Sequence, residues 1–188
     1  MSASASLVTT GKPKVVGGIY TAPKGTTLPS DATSAIDTTK YTNAGYIAEG
    51  GVTNSNSMDT TAYRAWGGDI VHVVQSGKDD TFAFGYIETL NTDVLKNVYG
   101  SANVSGTLAT GITVQANAKE PDELVYVMDM ICRDGALHRI VIPDGKVTAV
   151  GDIVYSDSEI TQYPMTITAI ADTSGNTHYE YFHEKTST

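Results

Sequence analysis

Neighbouring carboxylates are the side chains in this sequence whose spacing could support acid–base chemistry. They form three pairs: Asp79 with Asp80, Asp122 with Glu123, and Asp157 with Glu159. Hydrolysis of a glycoside uses two carboxyl groups that converge on the scissile bond, one of them as the proton donor. All three pairs flank predicted turns, where solvated acids are ordinary, so the sequence favours surface carboxylates over a hydrolase site.

Histidine and cysteine give no metal-binding pattern. His178 and His183 lie five residues apart in a predicted strand, so their side chains point to opposite faces. His72 and His138 each stand alone, and Cys132 has no second cysteine with which to form a disulfide. The G-x-S-x-G, H-E-x-x-H and glycine-rich phosphate-binding motifs are also missing. We therefore expect no catalytic, cofactor-binding or metal-binding residue, and no enzyme.

The charge and the apolar runs exclude further classes of protein. The 188 residues include 12 basic and 21 acidic side chains, a net charge of −9, whereas proteins that grip nucleic acid neutralise phosphates with cations. Asp129 and Arg139 interrupt the longest apolar runs, far short of the roughly 20 residues of a membrane-spanning helix. The N-terminal residues lack the apolar block of a secretory signal. We expect the chain to fold in the cytoplasm without inserting into a membrane.

Nearly all the elements that would position a site are predicted strands. Seven main runs read as strands, with two-residue alternation clearest in the second and third: 69–75, 79–88, 123–133, 136–142, 146–155, 159–171 and 177–182. Asp134–Gly135 is a preferred dipeptide of the type I′ hairpin turn, and further turns are predicted at 76–78 and 143–145. Eight to ten strands at this spacing predict one antiparallel β-sandwich or barrel domain over residues 1–188.

One short helix is predicted directly after the 79–88 strand. Asn91 can cap its first turn, Gly100 can end it, and Val94, Leu95 and Val98 form an apolar stripe along one side. A helix of this length spans only about 12 Å and is marginal alone in water. It must therefore flank the sheet.

Three polar segments contain too few apolar residues to form part of a core. They are a flexible N-terminal arm at residues 1–12 and two long loops at 21–45 and 54–66. A loop as long as 21–45 inside one domain is usually functional, is ordered by a partner, or is wrapped along a surface. The chain also has 11 tyrosines against 3 phenylalanines, an excess of amphipathic aromatic side chains that suits interfaces. We interpret both loops as assembly loops.

The order of several motifs resembles the major tail proteins of long-tailed, non-contractile bacteriophages, which are the subunits of the tail tube. The resemblance runs through TAPKGTTLP at 21–29, GYIAEGGV at 45–52 and the stretch from YRAWGGD to NVYG at 63–100. Its most specific parts are AEGGV, AWGGD, and the FAFGYIET strand leading into the helix. The C-terminal half is similar only in being rich in strands.

The resemblance implies two packed sheets with one flanking helix, assembled as hexameric rings that stack into a hollow tube. In that family strands from each subunit close a barrel around a channel through which DNA passes to the host without specific binding, while loops and arms reach neighbouring subunits. The partners implied are other copies of the chain and the tape-measure, tail-tip and tail-terminator proteins. The location implied is the virion tail, assembled in the host cytoplasm.

Two sets of residues are candidates for these roles. The assembly-contact candidates come from the two loops: Pro23, Pro29, Tyr41, Tyr63 and Trp66. The lumen-facing candidates are two acids of the long hairpin, Glu123 and Asp129, because a weakly negative wall repels DNA and lets it slide. The alternative function is a carbohydrate-binding or adhesive β-sandwich, which requires an exposed aromatic platform, yet the chain has one tryptophan and scattered tyrosines.

Overall fold

The computed structural model describes residues 3–15 and 17–185, and strands dominate this part of the chain. The strands are β1 Gly11–Pro13, β2 Ile19–Pro23, β3 Thr42–Asn43, β4 Thr53–Arg64, β5 Ile70–Tyr86, β6 Val104–Thr107, β7 Gly111–Val114, β8 Leu124–Cys132, β9 Leu137–Val150, β10 Tyr163–Ala169 and β11 Tyr179–His183. The helix α1 is Thr92–Tyr99, and 3₁₀ turns occupy Ala5–Leu7, Ser101–Asn103 and Arg133–Gly135. The described part of the chain has eleven strands, one more than the upper end of the predicted eight to ten.

Strand β9 belongs to both layers of a β-sandwich. Its first half, 137–142, pairs with β8 and β11, and its second half, 145–150, pairs with β10. The first layer has the order β3-β2-β8-β9-β11, with β1 on the same edge of β8 as β2, and the second has the order β9-β10-β5-β4. Every pairing among the described strands is antiparallel. The predicted mainly antiparallel sandwich with one helix is confirmed.

The prediction of a turn at 143–145 is wrong, because β9 runs through these residues as it passes between the layers. Gly145 is needed at this point, since a Cβ atom there would lie 2.6 Å from Cδ2 of Tyr126. Between the layers lies the main core, where the rings of Phe84 and Tyr126 face each other with centroids 6.4 Å apart. Strand β9 thus serves two sheets around one core, and it passes between them where the backbone of Gly145 lies against the ring of Tyr126.

Helix α1 forms as its sequence predicts. The side chain of Asn91 accepts a hydrogen bond from the N–H of Asp93 at 3.0 Å, and Gly100 ends the helix at φ 89° with its N–H donating to the carbonyl of Lys96 at 2.8 Å. Val94, Leu95 and Val98 are buried in the main core. The helix thus flanks the sandwich through one apolar side.

Replacing Leu95 by alanine should destabilise the subunit by about 2–4 kcal/mol, because a buried side chain is removed and the cavity collapses only in part. Urea denaturation of the purified protein measures the change. Lys96→Ala, on the solvent side of the same helix, is the control. Its free energy of unfolding should stay within about 0.5 kcal/mol of the unsubstituted protein. An equal loss in the two variants would contradict the assignment of Leu95 to the core.

Most of the 21–45 segment packs on its own subunit. It covers the outer face of the first layer, where Tyr41, Leu28 and Ile36 pack on a second core built from β2, β8 and β9. The hydroxyl of Tyr41 donates to the carbonyl of Thr27 at 2.9 Å. Tyr41 was expected to contact a neighbouring subunit, but the structure buries it instead. The reason is that both faces of the first layer are apolar, so the outer one requires a cover.

An ion pair fixes this covering segment, defined as residues 24–41, to the sheet. Arg139 donates from Nε and Nη2 to the two carboxylate oxygens of Asp129, each at 3.0 Å, and both side chains are at least 95% buried. The guanidinium also donates to the carbonyls of Asp31 at 2.8 Å and Ser34 at 2.9 Å. Asp129 was expected to face the lumen, but it lies beneath the covering segment and offers no carboxylate to the surface.

Two other segments differ from their predicted form. The predicted loop 54–66 is mostly strand β4, which pairs with β5 from Thr53↔Ala83 to Arg64↔Ile70, so the predicted turn at 76–78 lies inside β5. Strand β4 is exposed on both faces and therefore lacks the alternation that marks a half-buried strand. The predicted arm 1–12 overlaps β1, where Gly11 already pairs with Cys132; its first two residues lie outside the described residues.

Candidate assembly interface

The β4–β5 hairpin projects from the sandwich. Strand β5 enters the core at Asp80 and pairs with β10 only from Thr81 to Tyr86, so beyond that point it has β4 as its one described neighbour. We define the hairpin arm as residues 57–79, bounded by the pair Ser57↔Asp79. Eight paired residues at about 3.3 Å each give it a length of about 26 Å. Apart from the partly buried Gly77, every residue of the arm is exposed.

Large apolar side chains lie on both faces of the hairpin arm. They are Met58, Tyr63, Trp66, Ile70, Val71, Val73 and Val74. Val73 and Val74 are consecutive strand residues and point to opposite faces, yet they are 53% and 39% exposed. A two-stranded ribbon is marginally stable in water, and exposed apolar patches of this kind mark interaction sites. Each face of the arm is therefore suited to be covered by another molecule.

The edges of the arm are also open. Strand β4 pairs with β5 on one side, and its other edge has no strand partner in the described part of the chain along all 12 of its residues. Soluble proteins usually protect such an edge with lysine or proline, and β4 contains neither. The edge is thus free to pair with a strand of another chain.

The predicted contact residues fall on different elements. Tyr63 and Trp66 lie on the arm, Trp66 fully exposed at its tip and Tyr63 stacked on His72 at a centroid distance of 6.4 Å. Pro23 is exposed at the end of β2, and Pro29 is partly buried in the covering segment. The exposed valines of β5 were missed, because an apolar strand sequence indicates burial whether its own subunit or a neighbour provides it.

A buried carboxylate anchors the root of the arm. Asp80 is 1% exposed and accepts hydrogen bonds from Asn54 Nδ2 at 2.8 Å, Thr177 Oγ1 at 2.5 Å and His178 Nδ1 at 2.5 Å. Burial raises the pKa of Asp80, but these hydrogen bonds, led by that from Thr177, together hold the pKa below its ordinary value. The contacts join β4, β5 and the residues before β11, so the arm leaves the body from a fixed base.

The lowered pKa of Asp80 predicts a loss of stability in acid. Below about pH 4 the unfolded state takes up the proton more readily than the folded state, so the free energy of unfolding falls as the pH falls. Asp80→Asn should be less stable at pH 7, and its pH slope below pH 4 should be shallower by up to about 1.4 kcal/mol per pH unit, the value for one proton. Urea denaturation from pH 7 to pH 3 measures both.

The exposed neighbour provides the control for this prediction. Asp79→Asn removes a carboxylate at the same point of the chain but outside the core, so its free energy of unfolding at pH 7 should stay within about 0.5 kcal/mol of the unsubstituted protein. If Asp80→Asn and Asp79→Asn lost the same stability at pH 7, the anchoring role of Asp80 would be contradicted.

Glu123 is the one lumen-facing candidate that remains partly exposed. Its carboxylate accepts a hydrogen bond from Lys24 Nζ at 2.7 Å, and this bond holds the pKa of Glu123 below its usual range. Lys24 also pairs with Asp144 at 2.5 Å. The charge of Glu123 is thus compensated at the junction of β8 and the covering segment.

Two of the three carboxylate pairs do not converge, and both acids of the third, Asp157 and Glu159, are exposed. Asp79 is exposed while Asp80 is buried, and Asp122 accepts from the N–H of Ser101 at 2.9 Å while Glu123 contacts Lys24. Among residues 3–15 and 17–185 there is no cluster of three or more histidine, cysteine or acidic side chains that could hold a metal ion. Within the same residues no helix has the length and apolarity needed to span a membrane.

The described part of the chain is a β-sandwich with a projecting apolar hairpin whose edges are open, a surface suited to assembly. A family model described as phage tail tube protein matches residues 8–188, and the chain belongs to that family. The resemblance predicted from residues 21–100 is therefore confirmed, and the family match extends through the C-terminal half. A search of curated proteins gives no match. The protein is a structural component of a bacteriophage tail, and the sandwich and its helix are those expected of a tail tube subunit.

Proposed function

We propose that this subunit assembles into hexameric rings that stack into a hollow tube, and that DNA passes through the tube to the host without specific binding. The observation that carries the proposal is the hairpin arm, which exposes apolar side chains on both faces and leaves its strand edges unpaired. An arm that lies between two neighbouring subunits buries both faces at once. A stack of rings supplies such a pair of neighbours.

The same arm explains why other tail proteins are required. Head-to-tail assembly leaves one unfilled contact at each end of a stack, because closure occurs within a ring and not along the tube. Proteins of the tail tip and the tail terminator would cover these ends, and a tape-measure protein would occupy the channel before the DNA. We propose Tyr63 and Trp66 as assembly contacts of the arm, Pro23 and Pro29 as contacts of the opposite layer, and the host cytoplasm as the place of assembly.

Electron microscopy of the purified protein tests the proposal. At high protein concentration, and with crowding agents, we expect rings and stacked tubes, because each arm contact removes apolar surface from water and assembly grows with concentration. Sedimentation velocity over a dilution series should show the corresponding shift to large species. Monodisperse monomers under every concentration and crowding condition would count against a tube subunit.

A further inference from the structure

A cavity of about 320 Å³ opens on the surface of the sandwich. It lies between β1 and β8 of the first layer and residues 47–52, which run beside the end of β5, where Ile47 bridges Tyr86. Its apolar wall consists of Ile19, Ile47, Val52, Met128 and Met130. Sites that bind small molecules begin at about 300 Å³, so the cavity has room for one large side chain. We call this cavity the socket.

Two glycines of the AEGGV motif, Gly50 and Gly51, line the socket. A Cβ atom added at either position would meet no atom of the subunit within 4 Å. Gly51 has a positive φ of 68°, but Gly50 does not. Glycine at position 50 is thus required neither by the backbone nor by packing within the subunit, whereas close approach of another chain favours it.

The tip of the hairpin arm presents a tryptophan on a hydrogen-bonded turn. The N–H of Ala65 donates to the carbonyl of Asp69 at 2.8 Å and closes the turn. Trp66 projects from it, fully exposed. An aromatic side chain can bury about 150–250 Å², so this tryptophan leaves a large apolar surface in water until another chain covers it. We call residues 64–69 the knob.

The knob and the socket carry matching charges. Arg64 and Asp69 flank the tryptophan of the knob. Lys12 and Glu49 line the socket, and all four side chains are exposed. Among the described residues none of the four forms an ion pair. A knob that enters the socket can therefore place each charge opposite one of the other sign, with Arg64 facing Glu49. Complementary charges of this kind favour one partner and one orientation.

The knob of a subunit cannot reach the socket of the same subunit. Strand β5 runs from the knob, where Ile70 pairs with Arg64, to the socket, where Tyr86 bridges Ile47. Its 17 residues at about 3.3 Å each separate the two by about 50 Å. A second copy displaced along the strand by that distance brings its knob to this socket, and its own socket stays open for a third copy. Such a contact repeats without closing and builds a stack.

We infer that the knob of each subunit inserts Trp66 into the socket of a subunit in the next ring. This inference rests on the proposed tube function and names the surface that receives the tip of the hairpin arm. The apolar wall of the socket covers the indole ring, Arg64 faces Glu49, and Gly50 leaves room for the approaching turn. The two glycine motifs of the sequence, AEGGV and AWGGD, are then the two halves of one contact.

Trp66 is the only tryptophan of the chain, so its fluorescence reports the environment of the knob. In free subunits the emission should be that of an indole in water, and acrylamide should quench it strongly. Assembly into tubes should shift the emission to shorter wavelengths and reduce quenching severalfold, because the apolar wall then surrounds the ring. Trp66→Ala should raise the concentration needed for assembly at least about tenfold, as loss of an aromatic anchor does, and Trp66→Phe should raise it less.

Chemical cross-linking identifies the surface that the knob contacts. Subunits of Ala65→Cys and of Gly50→Cys, mixed, assembled and treated with a short bismaleimide, should give a covalent dimer. Neither variant should give the dimer alone, because each presents only one half of the contact. Ala65→Cys mixed with Leu108→Cys, which lies outside both surfaces, is the matched control and should stay monomeric. The unsubstituted protein is the blank for Cys132, which is buried.

The outcomes separate the inference from the function on which it rests. If the unsubstituted protein forms no tubes, the proposed function fails and the inference fails with it. If tubes form but Trp66 stays as accessible to acrylamide as in free subunits, only the inference fails. The same holds if Ala65→Cys with Gly50→Cys gives no more dimer than the control pair. If Gly50→Cys does not assemble, Glu49→Cys repeats the test, and failure of both folded variants to assemble would itself place the socket in an interface.

Charge reversal tests the orientation of the knob in the socket. Arg64→Glu and Glu49→Arg each place like charges together and should raise the concentration needed for assembly at least about threefold. The two reversals in one chain restore an opposite pair and should recover assembly toward that of the unsubstituted protein. Arg64→Glu combined with Glu159→Arg, an exposed reversal outside the contact, is the matched control and should give no recovery. If the first double variant assembled no better than this control, Arg64 would not face Glu49 and the inference would be overturned.

Discussion

Replacement of Arg139 by methionine should lower the free energy of unfolding of the subunit by about 3–5 kcal/mol. The substitution leaves the carboxylate of Asp129 buried beneath the covering segment without its bidentate partner. It also removes the donors to the carbonyls of Asp31 and Ser34, which attach the covering segment to the sheet. Urea denaturation measures the loss, and limited proteolysis should show earlier cleavage within residues 24–41.

Two further variants separate the buried pair from surface charge in general. Lys96→Met breaks the exposed pair with Asp93 and should change stability by less than about 0.5 kcal/mol, as solvated pairs usually do. Combining Arg139→Met with Asp129→Leu should recover part of the loss, because no unpaired charge is then left in the core. A cost below about 1 kcal/mol for Arg139→Met alone would show that the covering segment does not depend on this pair.

Placing a charge on either face of the hairpin arm should abolish tube formation without unfolding the subunit. Val73→Asp and Val74→Asp each put a carboxylate on a different face, and burying it unpaired costs several kcal/mol at every repeated contact. Because about 1.4 kcal/mol is a tenfold change, the concentration needed for assembly should rise at least about a hundredfold. Electron microscopy and sedimentation velocity measure assembly. The free energy of unfolding of each variant should stay within about 1 kcal/mol of the unsubstituted protein, because both side chains are exposed.

The control places the same charge on another exposed apolar residue. Leu108→Asp lies near the β6–β7 hairpin, outside the arm, and should assemble at the concentration of the unsubstituted protein. If only one of the two arm variants blocked assembly, the arm would contact its neighbours through a single face. Normal assembly of both would remove the arm from the interface.

Local signals were sufficient for the helix and for one turn. Asn91 and Gly100 bound α1 as predicted, since capping depends on side chains and backbone within a few residues. Asp134 and Gly135 both adopt positive φ, 63° and 85°, as the type I′ turn requires. Strand β4 was missed because its exposed residues do not alternate between apolar and polar types. Only its pairing with β5 makes it a strand.

By itself the sequence determined the fold class, the helix and the family, because strand periodicity, helix capping and motif order depend only on the types and order of residues along the chain. Only the tertiary structure decided which faces are covered. The sequence made Asp129 and Glu123 equally plausible as channel acids. In the structure Arg139 lies between Asp129 and the carbonyls of Asp31 and Ser34, which are more than a hundred residues from Arg139 along the chain, and Asp129 is buried. The side chain of a strand residue points to one of two faces, and a distant segment decides which of the two stays in water.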